Sequence, residues 1–315
     1  MTDSPLSTFG PVWVIAGPTA SGKSAVAYHL AKKHNGVIIN ADSMQVYREI
    51  PIISAQPPMD EQRSAPHMLY GTISILSRMS AMQWAENAVK AIRDVQAQGR
   101  QPILVGGSGL YLKTLMDGLS PIPDVPHAVR QQVCDLYDVL GPKNFHEALQ
   151  GIDPETAKRL HATDRQRCIR AREVFEVSGK PLSYWQSQQK ERVGADLTYR
   201  LLVLLPERDW LHERINKRFD QMVQAGALDE ARAVQDLNPA SDLTGVQALG
   251  LQALRDYIDS RVTLFEAIEY GQTQSRQYAK RQYTWFRGQE LPAEARLDLI
   301  DPSDLKAAEA FFTTK

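Results

Sequence analysis

Apolar residues in this chain follow two rhythms. Short continuous runs at 12–16, 37–40, 102–105 and 201–205 are rich in strand formers, and Gly, Pro or Asp residues follow each of them closely. Runs of that length and composition are what strands buried on both faces look like. Between them the apolar positions recur every three or four residues. The spacing predicts a helix over 23–33. It predicts another over 80–98, with Trp84, Ala88, Ala91 and Val95 on one face and Gly99 as its stop. Longer helices are expected from about Glu207 to Asp236 and from Leu264 to Phe286. Strands alternating with helices predict an α/β fold with a parallel sheet flanked by helices.

The pattern changes at Pro121, Pro123 and Pro126. From 126 to 190 it is helical throughout. The expectation is an all-helical insertion at 126–190 within a core formed by 1–125 and 191–315.

Composition narrows the class. Of 315 residues, 43% are apolar and 23% charged, which is globular and not disordered. The two cysteines, Cys134 and Cys168, are too few for a disulfide framework or a four-cysteine zinc site, and a reducing compartment fits. The seven histidines show no metal-ligand spacing. No apolar run is long enough for a membrane span or a leader core, so no membrane partner is expected.

The formal charge is −1, yet the charge is segregated. Lys158, Arg159, Arg165, Arg167, Arg170 and Arg172 cluster around a single acid, Asp164, and 276–288 carries four bases and no acid. The tail at 289–315 is acidic. Segregation of this kind leaves a nucleic-acid partner open despite the neutral sum.

Gly17-Pro18-Thr19-Ala20-Ser21-Gly22-Lys23-Ser24 fits G-x-x-x-x-G-K-[ST] between a predicted strand and a predicted helix. Glycines let consecutive backbone N–H groups face phosphate oxygens, and the helix N-terminus adds its positive dipole. Lys23 would neutralise terminal phosphates, and Ser24 would offer its hydroxyl to Mg²⁺. The loop implies a polyphosphate without saying which bond breaks. Asp42, just past the second strand, lies on the edge where parallel sheets bind ligands. It can serve as a base toward a hydroxyl or amine, as a Mg²⁺ anchor through water, or as a turn or cap residue.

Several blocks, in order, resemble the bacterial tRNA dimethylallyltransferases, also called tRNA isopentenyltransferases. They are the phosphate loop; Asp42-Ser43 with Tyr47; Pro66-His67; the Pro102–Tyr111 stretch; Asp164–Arg167 running into Arg170-Ala171 and Glu173-Val174, then Ser178–Lys180; Arg214–Arg218 with Met222; and the Gln277–Arg287 stretch. The resemblance covers roughly residues 12 to 288. It implies a P-loop NTPase-like core and transfer of a dimethylallyl group from dimethylallyl diphosphate to N6 of the adenosine just 3′ of the anticodon, with Mg²⁺ assisting and diphosphate leaving. It implies Asp42 and Lys23 as catalytic residues, with Arg214 or Arg218 adding a guanidinium to the diphosphate. It implies tRNA contacts at Asp42, Ser43, Met44 and Gln45, at Ser108 and Arg130, at Gln166, Arg167, Cys168, Ile169 and Arg170, and at Lys280, Arg281, Gln282, Tyr283, Thr284, Trp285, Phe286 and Arg287. A cytoplasmic monomer acting on the anticodon stem-loop follows from the same resemblance.

Local readings stand beside it. Thr163–Gln166 fits a capping box, with Thr163 as N-cap and Gln166 reaching back. On that helix Gln166, Arg167 and Arg170 share one side, while Cys168, Ala171 and Phe175 lie nearer the other. Trp285 and Phe286 suit either base stacking or the core. The chain departs from the family in having Ser108 for threonine, Gln56 for lysine and Leu251 for tyrosine. A small-molecule P-loop kinase, an adenylate isopentenyltransferase and a non-catalytic RNA-binding protein are the alternatives.

Overall fold

The computed structural model describes residues 10–288, 296–299 and 305–314. Six strands, β1 (Val12–Ala16), β2 (Gly36–Asn40), β3 (His67–Met68), β4 (Gln101–Gly106), β5 (Tyr199–Leu204) and β6 (Arg296–Leu299), form one sheet. Its order is β3-β2-β4-β1-β5-β6, and every pairing is parallel. Val14 of β1 registers with Leu104 on one side and Leu201 on the other.

Side chains alternate between the two faces, so each strand feeds two cores. Trp13 and Ile15 point to the layer holding Val26, Ala27 and Leu30 of the Lys23–Lys33 helix. Val12 and Val14 point to the layer holding Trp84, Ala88, Ile92 and Val95 of the Ala81–Ala97 helix. Ser80 and Gln83 cap the latter reciprocally. Trp84 buries its ring there and donates its indole N–H to the Asn40 carbonyl at 3.0 Å, which secures the end of β2.

The helix expected over 207–236 is two helices, Arg208–Gln224 and Ala227–Asp236. Gly226, at φ 110°, takes the left-handed conformation that breaks the run. The two-residue β3 and the alternating β6 were not expected, because neither has a continuous apolar stretch. Part of the acidic tail, 289–295, 300–304 and 315, lies outside the described residues.

A second compact unit runs from Asp117 to Arg192. It is helical: His127–Ile152, Pro154–Arg159, Arg165–Ser178 and Leu182–Gln186. Its own core gathers Val133, Tyr137, Phe145, Leu149, Cys168, Ile169, Val174 and Leu182. Leu119 and Glu191 exchange backbone hydrogen bonds of 2.9 and 2.8 Å, so the unit's two ends are tied to each other. This closure extends the unit beyond the 126–190 expected from the prolines.

Candidate active site

The loop after β1 turns tightly because Gly17 touches the β5 backbone: a Cβ there would sit 2.4 Å from the Leu204 carbonyl oxygen. Ala20 holds φ 62°, rare for a residue with a side chain, at the tip of the loop. Lys23 Nζ donates to the Pro18 carbonyl at 2.5 Å. Arg214 Nε donates to the Ala20 carbonyl at 3.1 Å, and Arg218 donates to the Thr19 hydroxyl. Both arginines project from the Arg208–Gln224 helix one turn apart. Both Arg214 and Arg218 therefore reach the phosphate loop.

Burial pulls the Lys23 ammonium down to about 7; the Asp42 charge opposes that shift and Arg218 adds to it. Arg218 is lowered to about 10, first by burial, with Asp42 opposing and Arg214 adding. Three basic side chains thus converge on one loop, with Asp42 the carboxylate that Lys23 and Arg218 feel.

Asp42 is held from both sides of its own backbone. Its N–H donates to Asn40 Oδ1 at 2.8 Å, and its Oδ1 accepts from the Met44 N–H at 2.9 Å. Asn40 is fully buried and also donates to the Asp42 and Leu69 carbonyls. Ser108 Oγ accepts from the Ser43 N–H at 2.8 Å and donates to Ser43 Oγ at 3.1 Å. Hydroxyl chemistry therefore persists at the position where the family's threonine was expected.

One cleft of about 520 Å³ is lined by Thr19 to Ser24, Asp42, Gln45, Arg214 and Arg218, joined by Lys217 and Gln56. A smaller pocket shares Thr19, Asp42, Ser54 and Arg218 with it and is otherwise walled mainly by Met44, Ile53, Ile215, Phe219, Met222 and Leu249. The site is amphiphilic: cations and backbone donors on one side of Asp42, apolar side chains on the other.

The family described as IPP transferase matches residues 45–289. A tRNA dimethylallyltransferase of Sinorhizobium medicae is 43% identical over 91% of this chain and 94% of its own length. The chain belongs to the IPP transferase family. A Rhodopseudomonas palustris relative with the same name is 45% identical over 96% of this chain and 92% of its own. Among solved structures, the full-length tRNA isopentenylpyrophosphate transferase of Bacillus halodurans superposes with a TM-score of 0.66 at 34% identity, covering 96% of this chain and 95% of that one. A eukaryotic dimethylallyltransferase solved acting on tRNA superposes with a TM-score of 0.75 at 27% identity, covering 96% of this chain and 78% of that one.

The RNA contacts that the IPP transferase resemblance implies divide sharply by burial. On the Arg165–Ser178 helix, Gln166 and Arg167 are exposed and Arg170 half-exposed, but Cys168 and Ile169 are 0% and 4% exposed and belong to the helical unit's core. They are not available to RNA: a helix turning 100° per residue cannot face outward at five consecutive positions. The expected capping box is also replaced. Asp164 is the N-cap and accepts from the Arg167 N–H, while the Thr163 hydroxyl is engaged by His161 at 2.8 Å. Arg130 Nε and Arg170 Nη1 lie 3.9 and 3.6 Å from the two oxygens of Glu173, a carboxylate 2% exposed.

On the Leu264–Gly288 helix, Lys280, Arg281, Thr284 and Arg287 are exposed and Tyr283 is half-buried. Phe286 is fully buried, and the Trp285 ring covers Gly109, where a Cβ would come within 2.5 Å of it. Phe286 therefore serves packing, while Trp285 packs on Gly109 and remains partly exposed. Gln282 is buried as well and bonds to the phosphate loop. Near Asp42, Met44 lines the apolar pocket, and Gln45 spends its amide protons on the Ser54 and Ala55 carbonyls.

Sequence reasoning missed Asn40, Tyr278 and Lys217. Asn40 ends a buried strand, a place where a polar residue needs an explanation. Tyr278 stands one helical turn before Gln282 and bonds to Ser108 and Gln282; burial raises its hydroxyl's pKa, with the Asp42 charge adding. Lys217 sits between the two expected arginines.

Proposed function

We propose that this protein transfers the dimethylallyl group of dimethylallyl diphosphate to N6 of the adenosine immediately 3′ of the anticodon in tRNA, releasing diphosphate. The observation that carries this reading is the amphiphilic site. A prenyl diphosphate is a short apolar chain on a polyanion, and here an apolar pocket and a cationic phosphate cleft meet at Thr19, Asp42 and Arg218.

The chemistry follows from the placement. The N6 lone pair is delocalised into the purine and is a weak nucleophile. Asp42 Oδ2 accepts the N6 proton as the new C–N bond forms at the allylic carbon. The C–O bond to the diphosphate breaks, and its electron pair leaves with the diphosphate. The loop N–H groups, Lys23, Arg214 and Arg218 stabilise the charge that gathers there. The adenine must leave its stack to reach Asp42, which is inexpensive in a loop and favours an anticodon loop over a duplex.

Among the described residues no cluster of three acidic, histidine or cysteine side chains could hold a metal by itself. Mg²⁺ usually keeps water and substrate oxygens among its ligands. The Ser24 hydroxyl would hold it against the diphosphate, where it would supply Lewis-acid neutralisation of the leaving group.

Arg130, Gln166, Arg167 and Arg170 of the helical unit, with Lys280, Arg281, Thr284 and Arg287 of the core, supply tRNA contacts in this reading. A monomer acting in the cytoplasm belongs to the same reading. No helix among the described residues is long and apolar enough to cross a membrane.

Labelled dimethylallyl diphosphate incubated in parallel with unmodified tRNA and with AMP tests the reading. Label enters tRNA and diphosphate appears in equal amount. Label in AMP alone would establish an adenylate isopentenyltransferase instead, and phosphoryl transfer from ATP to an added acceptor would establish a kinase.

A further inference from the structure

Gln282 lies on the helix whose outer face carries Lys280, Arg281, Thr284 and Arg287, yet it is 5% exposed. Its Oε1 accepts from the Thr19 N–H at 2.8 Å, and its Nε2 donates to the Gly107 carbonyl at 2.9 Å. Those partners are 263 and 175 residues away. One carboxamide thus joins the loop after β1 to the loop after β4. The next residue of the second loop, Ser108, accepts from the Ser43 N–H beside Asp42. The hydrogen bonds run from the phosphate loop through Gln282 to the loop that carries Asp42. Gly107 is shaped for this arrangement, since a Cβ there would fall 2.3 Å from Gln282 Nε2.

We propose that Gln282 is a positioning residue for the transfer: it sets the distance between the loop that takes the departing diphosphate and the carboxylate that takes the N6 proton. It touches neither substrate. Thr19 is where its effect enters, because the Thr19 hydroxyl meets Arg218 while the Thr19 N–H is held by Gln282. With both bonds made, the following N–H groups of the loop are aimed in advance, and no ordering is required when the charge develops. This inference rests on the prenyl-transfer reading for its chemistry, but its geometric part is testable without turnover.

Gln282→Met keeps the length and apolar packing of the side chain and removes the hydrogen bonds to Thr19 and Gly107, together with the one shared with Tyr278. The expected result is a fall in kcat of about tenfold or more, as small misplacements at a reacting centre produce. Inorganic pyrophosphate, titrated calorimetrically into the Mg²⁺-supplemented protein, should bind severalfold more weakly, while tRNA affinity stays within about twofold. Gly107→Ala pushes the carboxamide away from the other side and should reproduce the same split. The double variant should be no worse than the more affected single variant, since both break one linkage. If Gln282→Met does not fold, Gly107→Ala decides alone. Unchanged kcat and pyrophosphate affinity, additive losses, or a loss confined to tRNA affinity would overturn the proposal. Wild-type protein that binds pyrophosphate and transfers no label to tRNA would sink the functional reading, while the pyrophosphate comparison would still judge the brace.

Discussion

Two helices in this molecule carry nearly the same sequence signature and use it differently. The Arg165–Ser178 and Leu264–Gly288 helices both place basic residues outward and bury a mostly apolar opposite side. In the first, the inward side is Cys168, Ile169, Ala171 and Val174 with the buried Glu173 that faces Arg130 and Arg170, and its contacts stay within a small helical unit. In the second, the inward side includes Gln282, which grips the phosphate loop. A basic helix over an apolar core can be altered in its contacts without touching the chemistry. A basic helix over a catalytic loop cannot.

The sharpest way to test this division is at the chemistry itself. Asp42→Asn keeps the size and the hydrogen bond from Met44 but removes the base. Turnover should fall by a factor on the order of 10² or more, measured in single-turnover assays, with little change in tRNA affinity. An equal loss of tRNA binding would make Asp42 an anchor for RNA and would blur the boundary between catalytic centre and RNA surface.

The next effect belongs to the helical unit. Glutamates in place of both Arg167 and Arg170 should weaken tRNA binding by about tenfold and reduce the steepness of its salt dependence by about two counterions. Diphosphate affinity should not move. A salt slope identical to wild type would take this helix out of the interface. Cys168→Ala, from the buried side of the same helix, should behave in the opposite way. It should lower stability by about 1 kcal/mol in thermal unfolding and leave the RNA affinity of the folded protein unchanged.

What could be read in the sequence follows from how local each signal is. The central strands were legible because β1, β4 and β5 are buried on both faces and so are apolar almost without interruption. The phosphate loop was legible because eight consecutive residues make it. Asp42 was legible from its place after a strand, but what holds it there was not, since Asn40 and Met44 bond to it, and Ser108 to its neighbour Ser43, in ways that no spacing rule records. The resemblance implies RNA contact along the whole 280–287 block, Gln282 included. Helical periodicity alone argued against that reading, as it did for Cys168, Ile169 and Phe286. The brace itself joins positions far apart in the chain, and no window on the sequence contains them.

Salt and pH should separate the two regions, because one presents exposed guanidinium groups and the other a buried ammonium. Lys23 titrates near 7 in the folded protein. A diphosphate placed beside it favours the charged form, so binding should raise that value and draw in a proton. At pH 8 uptake should approach one proton per pyrophosphate bound; at pH 6 Lys23 is already charged and uptake should be small. Affinity for the loop therefore weakens as pH rises above 7. The free protein should show the matching trend. Between about 7 and the ordinary lysine value of 10.5 the unfolded chain holds a proton that the folded one does not, so the Lys23 contribution to stability improves as pH rises through that window. Calorimetry in buffers of different ionisation enthalpy measures the uptake, and Lys23→Arg is the control, because a guanidinium stays charged throughout. Subtracting the variant removes the titration of pyrophosphate itself. Equal uptake in the two proteins would mean that Lys23 is charged before the ligand arrives, and the contrast between a salt-sensitive helix and a pH-sensitive loop would fail.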